Sequence, residues 1–364
     1  MSKMEYVSYF RPEIDNMGGY TPGEQPKMAN LLKLNTNESP YPPSPGVSEV
    51  LKNFDCEKLR LYPDPTAEGV REIIANMFGL TKDHVIAGNG SDDILTIAMR
   101  CFASADRPAA CLWPSYSLYP TLAGLQGAEC IKIHLTENFE LPVDLLAQAK
   151  NANILLIARP NAPIGNSFPK SIMAEICREF KGIVLIDEAY VDFATDNCVD
   201  FVNEFPNVII SRTFSKSRNL AGLRFGFALA NPKIIEGMMK MKDSYNVSML
   251  TQAVAAATLN DPAYFADCVA KIRLAREMLL LGLYDLGFKV IESETNFLFA
   301  SPPDGDGERY FRALRERGII VRYFPGPDTG KWVRITIGDT KSVSRLFLAT
   351  REIYEGCGQE VYEI

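Results

Sequence analysis

Between residues 66 and 229, short apolar runs alternate with amphipathic segments, and this alternation constrains the fold more than any other feature. Apolar runs at 154–158 and 183–186 have the length of buried strands. Segments such as 66–78 repeat apolar residues at helical spacing. The pattern predicts an α/β fold with a mostly parallel sheet covered by helices on both faces. Predicted strands are 84–87, 109–113, 129–134, 153–158, 183–187, 208–211 and 223–229, and predicted helices are 66–78, 91–102, 115–125, 141–150 and 170–181.

The pattern changes after Asn231, where a long helical region at 262–286 precedes a mixture of short strands and helices. A chain of 364 residues suits two domains. We therefore predict an N-terminal arm at 1–45, a large domain at 46–260 and a smaller α+β domain at 261–364. The predicted elements of the smaller domain are strands at 289–291, 296–299, 319–322 and 332–336 and helices at 308–317 and 341–355.

Charge and composition exclude several classes of function. The net charge of −7 argues against a nucleic-acid binder and weakly against a protein that binds an anionic membrane surface. No run approaches the roughly 18 apolar residues of a membrane span. Eight scattered cysteines without a C-x-x-C pair, and only two histidines, predict neither a metal site nor a disulfide framework. The N-terminal residues lack the apolar stretch of a secretory signal, so we expect a cytoplasmic protein.

The first candidate site segment, residues 88–93, lies between a predicted strand and a predicted helix. It reads Gly-Asn-Gly-Ser-Asp-Asp. Gly90 permits a tight turn, and the N–H groups that follow at Ser91 and Asp92 can hold a phosphate at a helix start. A glycine turn with Ser91 as helix cap explains the segment equally well in isolation. Asp93 stands where a dinucleotide fingerprint has its third glycine, so that motif is incomplete.

The second and third segments follow later strands. Asp187 and Glu188 end an apolar strand, and Tyr190 follows three residues after Asp187. A poorly solvated carboxylate there suits a metal or a protonated ring nitrogen, although it can also cap a turn. Lys216 is the only lysine between residues 181 and 233. Neighbouring cations and partial burial would lower its pKa and make it a nucleophile, whereas the alternative is a solvated basic loop. The neighbouring cations are Arg212, Arg218 and Arg224.

Taken together, the three segments supply a phosphate cradle, an acid and an amine, each after a strand. In open α/β sheets, ligand sites collect beyond the carboxyl ends of the strands. A cofactor with a phosphate, a ring nitrogen and an aldehyde matches these three groups, and pyridoxal 5'-phosphate (PLP) is such a cofactor.

The ordered motifs of the chain, from about residue 35 to residue 353, resemble the fold-type I, class I/II aminotransferases, and within them the histidinol-phosphate aminotransferase subfamily. The matching stretches are 34–40 (LNTNESP), 61–64 (LYPD), 88–93 (GNGSDD), 114–116 (PSY), 160–165 (PNAPIG), 187–190 (DEAY), 212–216 (RTFSK), 221–226 (AGLRFG), 294–297 (ETNF) and 333–338 (VRITIG).

The resemblance implies a role for each site residue. Lys216 holds the cofactor and moves a proton, Asp187 pairs with the ring nitrogen, and Tyr190 hydrogen-bonds the ring oxygen. Tyr116 stacks on the ring, and Tyr62 reaches the phosphate in a partner subunit, which implies a homodimer. The phosphate is surrounded by Gly90, Ser91, Asp92, Thr213, Ser215 and Arg224, and the substrate is bound by Tyr20, Asn37, Arg322 and Arg334.

Two positions depart from the family pattern. The asparagine that usually contacts the ring oxygen is Ala162 here, and either Asn161 compensates or Tyr190 acts alone. Arg159 is also unexpected just before this turn, and is either a surface residue or a determinant of substrate preference.

The resemblance predicts transamination between L-histidinol phosphate and 2-oxoglutarate, giving imidazole acetol phosphate and glutamate for histidine biosynthesis. Alternatives on the same fold are an aromatic or broad-range aminotransferase and a phospho-amino-acid decarboxylase. A nucleotide-binding oxidoreductase is disfavoured by the incomplete glycine motif, and a non-catalytic binding protein by the presence of both Lys216 and Asp187.

Overall fold

The fold is built on a seven-stranded sheet, a four-stranded sheet and a two-stranded pairing. A computed structural model describes residues 8–19, 21, 23–25 and 30–355. The strands are β1 Leu32–Lys33, β2 Val85–Gly88, β3 Ala109–Trp113, β4 Cys130–His134, β5 Ile154–Ala158, β6 Ile183–Asp187, β7 Val208–Thr213, β8 Gly226–Ala230, β9 Lys289–Ile291, β10 Phe297–Ser301, β11 Ile319–Ile320, β12 Arg322–Tyr323 and β13 Val333–Thr336.

The seven-stranded sheet has the order β2-β8-β7-β6-β5-β3-β4. Strand β8 runs antiparallel to both of its neighbours, and the other pairings are parallel. Successive residues of its strands belong to two separate core clusters: Ala87 and Leu112 to one, Ile86 and Cys111 to the other. The sheet is therefore covered on both faces, which confirms the predicted fold class.

Helices pack on both faces of this sheet and around the smaller one. The long helix α11 lies beside α13 and the four-stranded sheet. The helices are α1 Pro12–Asn16, α2 Pro45–Lys52, α3 Glu68–Met77, α4 Ser91–Phe102, α5 Leu118–Leu125, α6 Leu145–Gln148, α7 Lys170–Glu179, α8 Phe201–Glu204, α9 Pro232–Met241, α10 Met249–Leu259, α11 Pro262–Asp285, α12 Gly307–Glu316 and α13 Thr340–Tyr354. Among the described residues, no helix is long and apolar enough to cross a membrane.

The smaller C-terminal part contains an antiparallel sheet of order β12-β13-β10-β9. Its own core cluster includes Leu279 and Leu283 of α11, Leu298 of β10 and Leu346 of α13. In this part of the chain the α+β architecture is as predicted. The domain boundaries stay a prediction.

The predicted elements differ from the structure where local turns interrupt a pattern. The helix predicted at 141–150 is only α6, and the strand predicted at 319–322 divides into β11 and β12. The strand predicted at 223–229 begins at Gly226, because Arg224 has a left-handed backbone with φ of 59°. Helices α2, α8, α9 and α10 and the short α1 were not predicted.

Candidate active site

A cavity of about 640 Å³ opens beyond the carboxyl ends of β5, β6 and β7. Its lining includes Ala158, Asp187 and Thr213, which are the last residues of those three strands. Ser91 at the start of α4 and Arg334 of β13 also line it, so both sheets contribute to one site. Three neighbouring strand ends and a helix start thus bring together the segments that the sequence singled out.

Asp187 is a buried carboxylate held by two hydroxyl groups. Tyr119 donates to its Oδ2 at 2.7 Å and Ser211 donates to its Oδ1 at 3.0 Å. Burial raises the pKa of Asp187 to about 6, against the lowering effect of both donors. The described residues place no cation in hydrogen-bonding contact with it. A protonated ring nitrogen would supply the missing positive charge.

Lys216 is a buried amine whose Nζ donates to the carbonyl oxygen of Thr36 at 3.1 Å. Burial is the largest cause that lowers its pKa, and the charge of Arg334 is the second; together they lower the pKa to about 8. Glu38 and Asp92 oppose this shift. A fraction of the amine is therefore neutral near pH 7, as a nucleophile requires.

The phosphate-binding corner predicted from the sequence forms one polar cluster. Arg224 donates to Asp92 Oδ2 at 3.2 Å and to Ser215 Oγ at 3.3 Å. Thr213 donates to Ser215 Oγ at 3.0 Å. Gly90 has φ of 90°, and a Cβ there would lie 2.6 Å from Arg224 Nη2. The φ of Gly90 lies in the region that favours glycine.

Tyr190 and Tyr116 also line the cavity. The Tyr190 hydroxyl accepts from Asn37 Nδ2 at 2.9 Å, and burial raises its pKa. The Tyr116 hydroxyl donates to Asp92 Oδ1 at 3.1 Å. Asn37 itself has φ of 56° and is fixed by Thr336, which donates to Asn37 Oδ1 at 3.0 Å.

The opposite end of the cavity carries two arginines. Arg322 of β12 and Arg334 of β13 are directly paired across the antiparallel ladder. Arg334 donates to the carbonyl oxygen of Asn35 at 3.0 Å and packs over Phe297 and Phe324, each ring centroid 5.2 Å away. Arg322 donates to the carbonyl oxygen of Thr21 at 3.3 Å. Tyr20, the other predicted substrate residue, lies outside the described residues.

Three predicted cofactor residues, Gly90, Tyr62 and Asn161, do not line the cavity in this chain. Tyr62 is 78% exposed and stacks on Tyr245, with ring centroids 4.4 Å apart. Asn161 is buried, accepting from Ser115 Oγ at 2.8 Å and donating to the carbonyl oxygen of Pro114 at 3.1 Å. Its amide therefore orders the turn beside the cavity, and Ala162 lines the cavity instead.

Of the three cations expected to act on Lys216, one is among the causes that lower its pKa. Arg212 forms a buried ion pair with Glu188, Nη2 to Oε2 at 2.7 Å, so Glu188 faces away from Asp187. Arg218 packs 3.7 Å from the centroid of Phe265. Of the three arginines near Lys216 in sequence, Arg224 alone lowers its pKa, and less than Arg334 does.

Arg159 is not a surface residue, contrary to one of the two expectations. Its side chain is only 2% exposed and pairs with Asp196, Nη2 to Oδ1 at 2.5 Å. It lines a second cavity and not the one that contains Lys216.

Sequence reasoning missed the residues that hold the acid and the amine. Tyr119 and Ser211 bond to Asp187, and Thr36 accepts from Lys216. Ser211 could have been predicted, because Ser211 and Asp187 stand at the ends of predicted strands and pair directly in the parallel ladder. Tyr119 could not have been predicted from the sequence, since it lies inside a predicted helix.

The residues present fit PLP. At the phosphate corner, a glycine turn with a left-handed φ precedes the first N–H groups of α4, and the Arg224 guanidinium lies beside it. Asp187 is a buried carboxylate without a cationic partner among the described residues, and Lys216 is a buried amine with a lowered pKa. Phosphate, ring nitrogen and aldehyde would each find a matching group around this one cavity.

Comparison with known proteins identifies the family of the chain. A family model described as aminotransferase class I and II matches residues 29–349. The chain is 45% identical to a histidinol-phosphate aminotransferase of Microcystis aeruginosa over 92% of this chain and 95% of that protein. It is 42% identical to histidinol-phosphate aminotransferase 1 of Trichormus variabilis over 95% of this chain and 99% of that protein.

The fold also matches a solved structure. A histidinol-phosphate aminotransferase from Sinorhizobium meliloti in complex with PLP superimposes with a TM-score of 0.87 at 23% identity, covering 98% of this chain and all of that one.

Proposed function

The chain belongs to the class I and II aminotransferases, a PLP-dependent enzyme family, and from that premise we propose that it exchanges the amino group of L-histidinol phosphate for the oxo group of 2-oxoglutarate. The products are imidazole acetol phosphate and glutamate, and the reaction serves histidine biosynthesis. The observation that carries the substrate assignment is the pair of arginines that lie opposite each other on β12 and β13 in the wall of the cavity.

The two arginines match the charges of both substrates. Guanidinium groups bind phosphates and carboxylates through parallel hydrogen bonds, and such contacts to charged groups are stronger than neutral ones. We assign Arg334 to the acidic group of each substrate and Arg322 to the phosphate of the donor. Asn37 borders the same space and is held rigidly by Thr336 and Tyr190.

The other predicted site residues are assigned to the cofactor. Lys216 holds it, Asp187 pairs with its ring nitrogen, Tyr190 hydrogen-bonds the ring oxygen and Tyr116 stacks on the ring. Asn161 supports the ring-oxygen contact only indirectly, through the turn that its side-chain amide orders. The phosphate is assigned to Gly90, Ser91, Asp92, Thr213, Ser215 and Arg224.

Removal of a proton from the carbon next to an amine requires an electron sink, and bound PLP supplies that sink. Asp187 keeps the sink effective, because a carboxylate favours the protonated form of a nearby ring nitrogen. Lys216 carries the proton from one carbon to another, and its fixed position lowers the entropic cost of the transfer. Water has limited access because both groups are buried.

We also propose a cytoplasmic homodimer in which Tyr62 reaches the partner's phosphate corner. Tyr62 is among several exposed apolar residues of one segment, with Leu59 and Leu61 more than half exposed. Such exposed apolar surface marks interfaces. Scattered single cysteines suit a reducing compartment.

Complementation tests the shared site. Mixing Lys216→Ala subunits with Tyr62→Ala subunits should restore activity, since half of the sites in the mixed dimers would be intact. No gain above either variant alone would contradict it.

The substrate is tested by adding L-histidinol phosphate to the PLP-loaded enzyme without a keto acid. A true amino donor should bleach the yellow of the bound cofactor, at lower concentration than phenylalanine or glutamate does. A yellow enzyme that phenylalanine bleaches as readily would indicate an aromatic or broad-range aminotransferase. Release of carbon dioxide from a phosphorylated amino acid would indicate the decarboxylase.

A further inference from the structure

Two thiol groups on neighbouring strands of the large sheet are in contact, away from the active-site cavity. The Sγ atoms of Cys111 on β3 and Cys130 on β4 are 3.6 Å apart, and both residues are free cysteines. In the parallel ladder Cys111 is opposite Lys132 and Cys130 is opposite Ala109. The two side chains therefore lie on the same face of the sheet, two residues out of register, and form one dithiol.

The two thiols have different surroundings. Cys111 is buried in a core cluster, whereas Cys130 is partly exposed and lies on β4, the edge strand of the sheet. The hydrogen bond with Cys111 and the charge of Lys132 lower the pKa of Cys130, against the effects of burial and Glu129. The same hydrogen bond, together with burial, raises the pKa of Cys111. Redox-sensitive cysteines combine an accessible thiol of lowered pKa with a neighbouring resolving thiol, and this pair has both parts.

We propose that Cys111 and Cys130 form a reversible disulfide when the enzyme meets a hydroperoxide. The Cys130 thiolate attacks one peroxide oxygen, the O–O bond breaks, and Cys130 becomes a sulfenic acid while the other oxygen takes a proton and leaves. The Cys111 sulfur then attacks the sulfenic sulfur, and the S–O bond breaks as the hydroxyl group leaves with the Cys111 proton as water. Two thiols thus lose two electrons, and the peroxide gains both.

The disulfide requires the backbone to move, because the two cysteines are out of register. Directly opposite residues are only about 4.8 Å apart across a sheet, whereas these two are also offset along the strands. Strand β4 pairs with β3 alone, so it can shift along β3 without breaking a second ladder. A disulfide that needs such a shift is readily reduced. The modification is therefore transient, as disulfides in reducing compartments usually are.

The shift of β4 reaches one wall of the active site. Strand β3 ends at Trp113, and residues 113–117 line the cavity that contains Lys216. Two residues of β4 contact this strand end: His134 is opposite Trp113 in the ladder, and the Nζ atom of Lys132 lies 4.2 Å from the Trp113 ring centroid. Movement of β4 therefore displaces groups that pack against the cavity wall.

Cys111 also lies close to the residue that holds the catalytic acid. Burial is the main reason that the pKa of Tyr119 is raised, the charge of Asp187 is the next, and Cys111 adds to them. Tyr119 in turn donates to Asp187 Oδ2 at 2.7 Å. Oxidation of Cys111 should therefore disturb the cofactor end of the cavity and slow the transamination of every amino donor. This expectation holds whichever amino donor is the natural one.

The test is to treat the PLP-loaded enzyme with hydrogen peroxide, block the remaining thiols with N-ethylmaleimide and digest with chymotrypsin. Cleavage after Phe102 and Tyr116 separates Cys111 from Cys101 and Cys130. Mass spectrometry should find the Cys111 and Cys130 peptides linked. The kcat of the treated enzyme should fall by at least about tenfold, since a displacement of about 1 Å can cost up to about 100-fold. Dithiothreitol followed by desalting should restore it, whereas dithiothreitol does not reverse oxidation of methionine.

Single variants separate the roles of the two thiols. Cys111→Ala removes the resolving thiol, so the reaction should stop at a Cys130 sulfenic acid that dimedone labels. Cys130→Ala removes the attacking thiol, so Cys111 should stay unmodified. Cys130→Ala should keep its activity both before and after peroxide treatment. The exposed Cys56→Ser is the matched control and should respond to peroxide as the wild type does.

Three results would overturn the proposal. The first is that no linked peptides form at a peroxide concentration that oxidises the exposed Cys56. The second is an equal loss of activity in wild type and Cys130→Ala, which would mean that peroxide inactivates the enzyme elsewhere. The third is a complete disulfide with an unchanged kcat, which would show that the shift of β4 does not reach the active site.

Discussion

The two ends of the active-site cavity are built in different ways. At the cofactor end, Asp187 and Thr213 end neighbouring parallel strands, and buried partners hold each side chain. At the substrate end, Arg322 and Arg334 belong to short antiparallel strands, and Arg322 lies on a strand of two residues. Aromatic rings and backbone carbonyl groups hold these arginines.

This difference suggests that the cofactor end determines the rate of the chemical steps and that the substrate end determines which substrate is selected. A change at the cofactor end alters groups that every substrate needs, so it should reduce turnover of all of them. A change of Arg322 at the substrate end alters a group assigned to the phosphate of the donor alone, so its effect should depend on the donor. The predictions below test this division, beginning with the largest expected effect.

Lys216→Ala should abolish transamination of every amino donor. Both the covalent attachment of the cofactor and the positioned proton carrier are lost, so we expect a loss of at least about 10⁴-fold in kcat. Steady-state rates with histidinol phosphate and with phenylalanine measure it. The exposed Lys233→Ala is the matched control and should keep full activity. Near-normal turnover by Lys216→Ala would invalidate the assignment of the active site.

Asp187→Ala should fold but lose about 10²–10³-fold in kcat, because a preorganised charge next to the ring is removed. The loss should be similar for both donors, since the carboxylate acts on the cofactor. Tyr119→Phe removes one donor to the carboxylate and should cost less. Circular dichroism checks the fold. An unchanged rate for Asp187→Ala would show that another group serves the ring nitrogen.

Arg322→Gln should raise KM for histidinol phosphate by about 10–100-fold, the range expected for one lost charge-assisted contact. The KM for phenylalanine and the absorbance of the bound cofactor should stay nearly unchanged, because Arg322 is assigned to the phosphate group. Initial rates over a range of each donor give the comparison. Equal losses for both donors would place Arg322 in the common machinery and weaken the division between the two ends.

The strand ends of the large sheet were predictable because a covered parallel sheet requires continuous apolar runs that stop at the site. Strands β3 and β6 begin and end at the predicted residues. Asp187 could be singled out because it is the charged residue that ends such a run, and Lys216 because it is the only lysine between residues 181 and 233. Arg334 could be identified only through family resemblance.

What the sequence did not predict depends on long-range contacts. The surroundings of Lys216 include residues near 36 and 334, far away in the chain, so the sequence could not identify Arg334 as the cation that lowers its pKa most. Arg159 follows an apolar strand, and nothing local shows that Asp196 and α11 bury it. Helix α10 has apolar residues on most of its surface, so the expected amphipathic spacing is absent.

The smallest expected effect concerns an interaction between the two ends. Arg334, at the substrate end, lowers the pKa of Lys216, at the cofactor end. Only the neutral amine is nucleophilic, so a lower pKa makes more of it available at neutral pH. The rate at which cofactor-free enzyme takes up PLP should therefore rise with pH and level off above about 8, the pKa of Lys216. Visible absorbance after mixing measures this rate at each pH.

Arg334→Gln removes a neighbouring positive charge and should move the midpoint of that pH profile upward, by about one unit or less. Arg322→Gln is the matched control: Arg322 is not among the causes of the shift, so its midpoint should move less. An unchanged midpoint in Arg334→Gln would mean that burial alone lowers the pKa of Lys216. In that case the pKa of Lys216 would be set entirely at the cofactor end, and the substrate end would determine only which substrate binds.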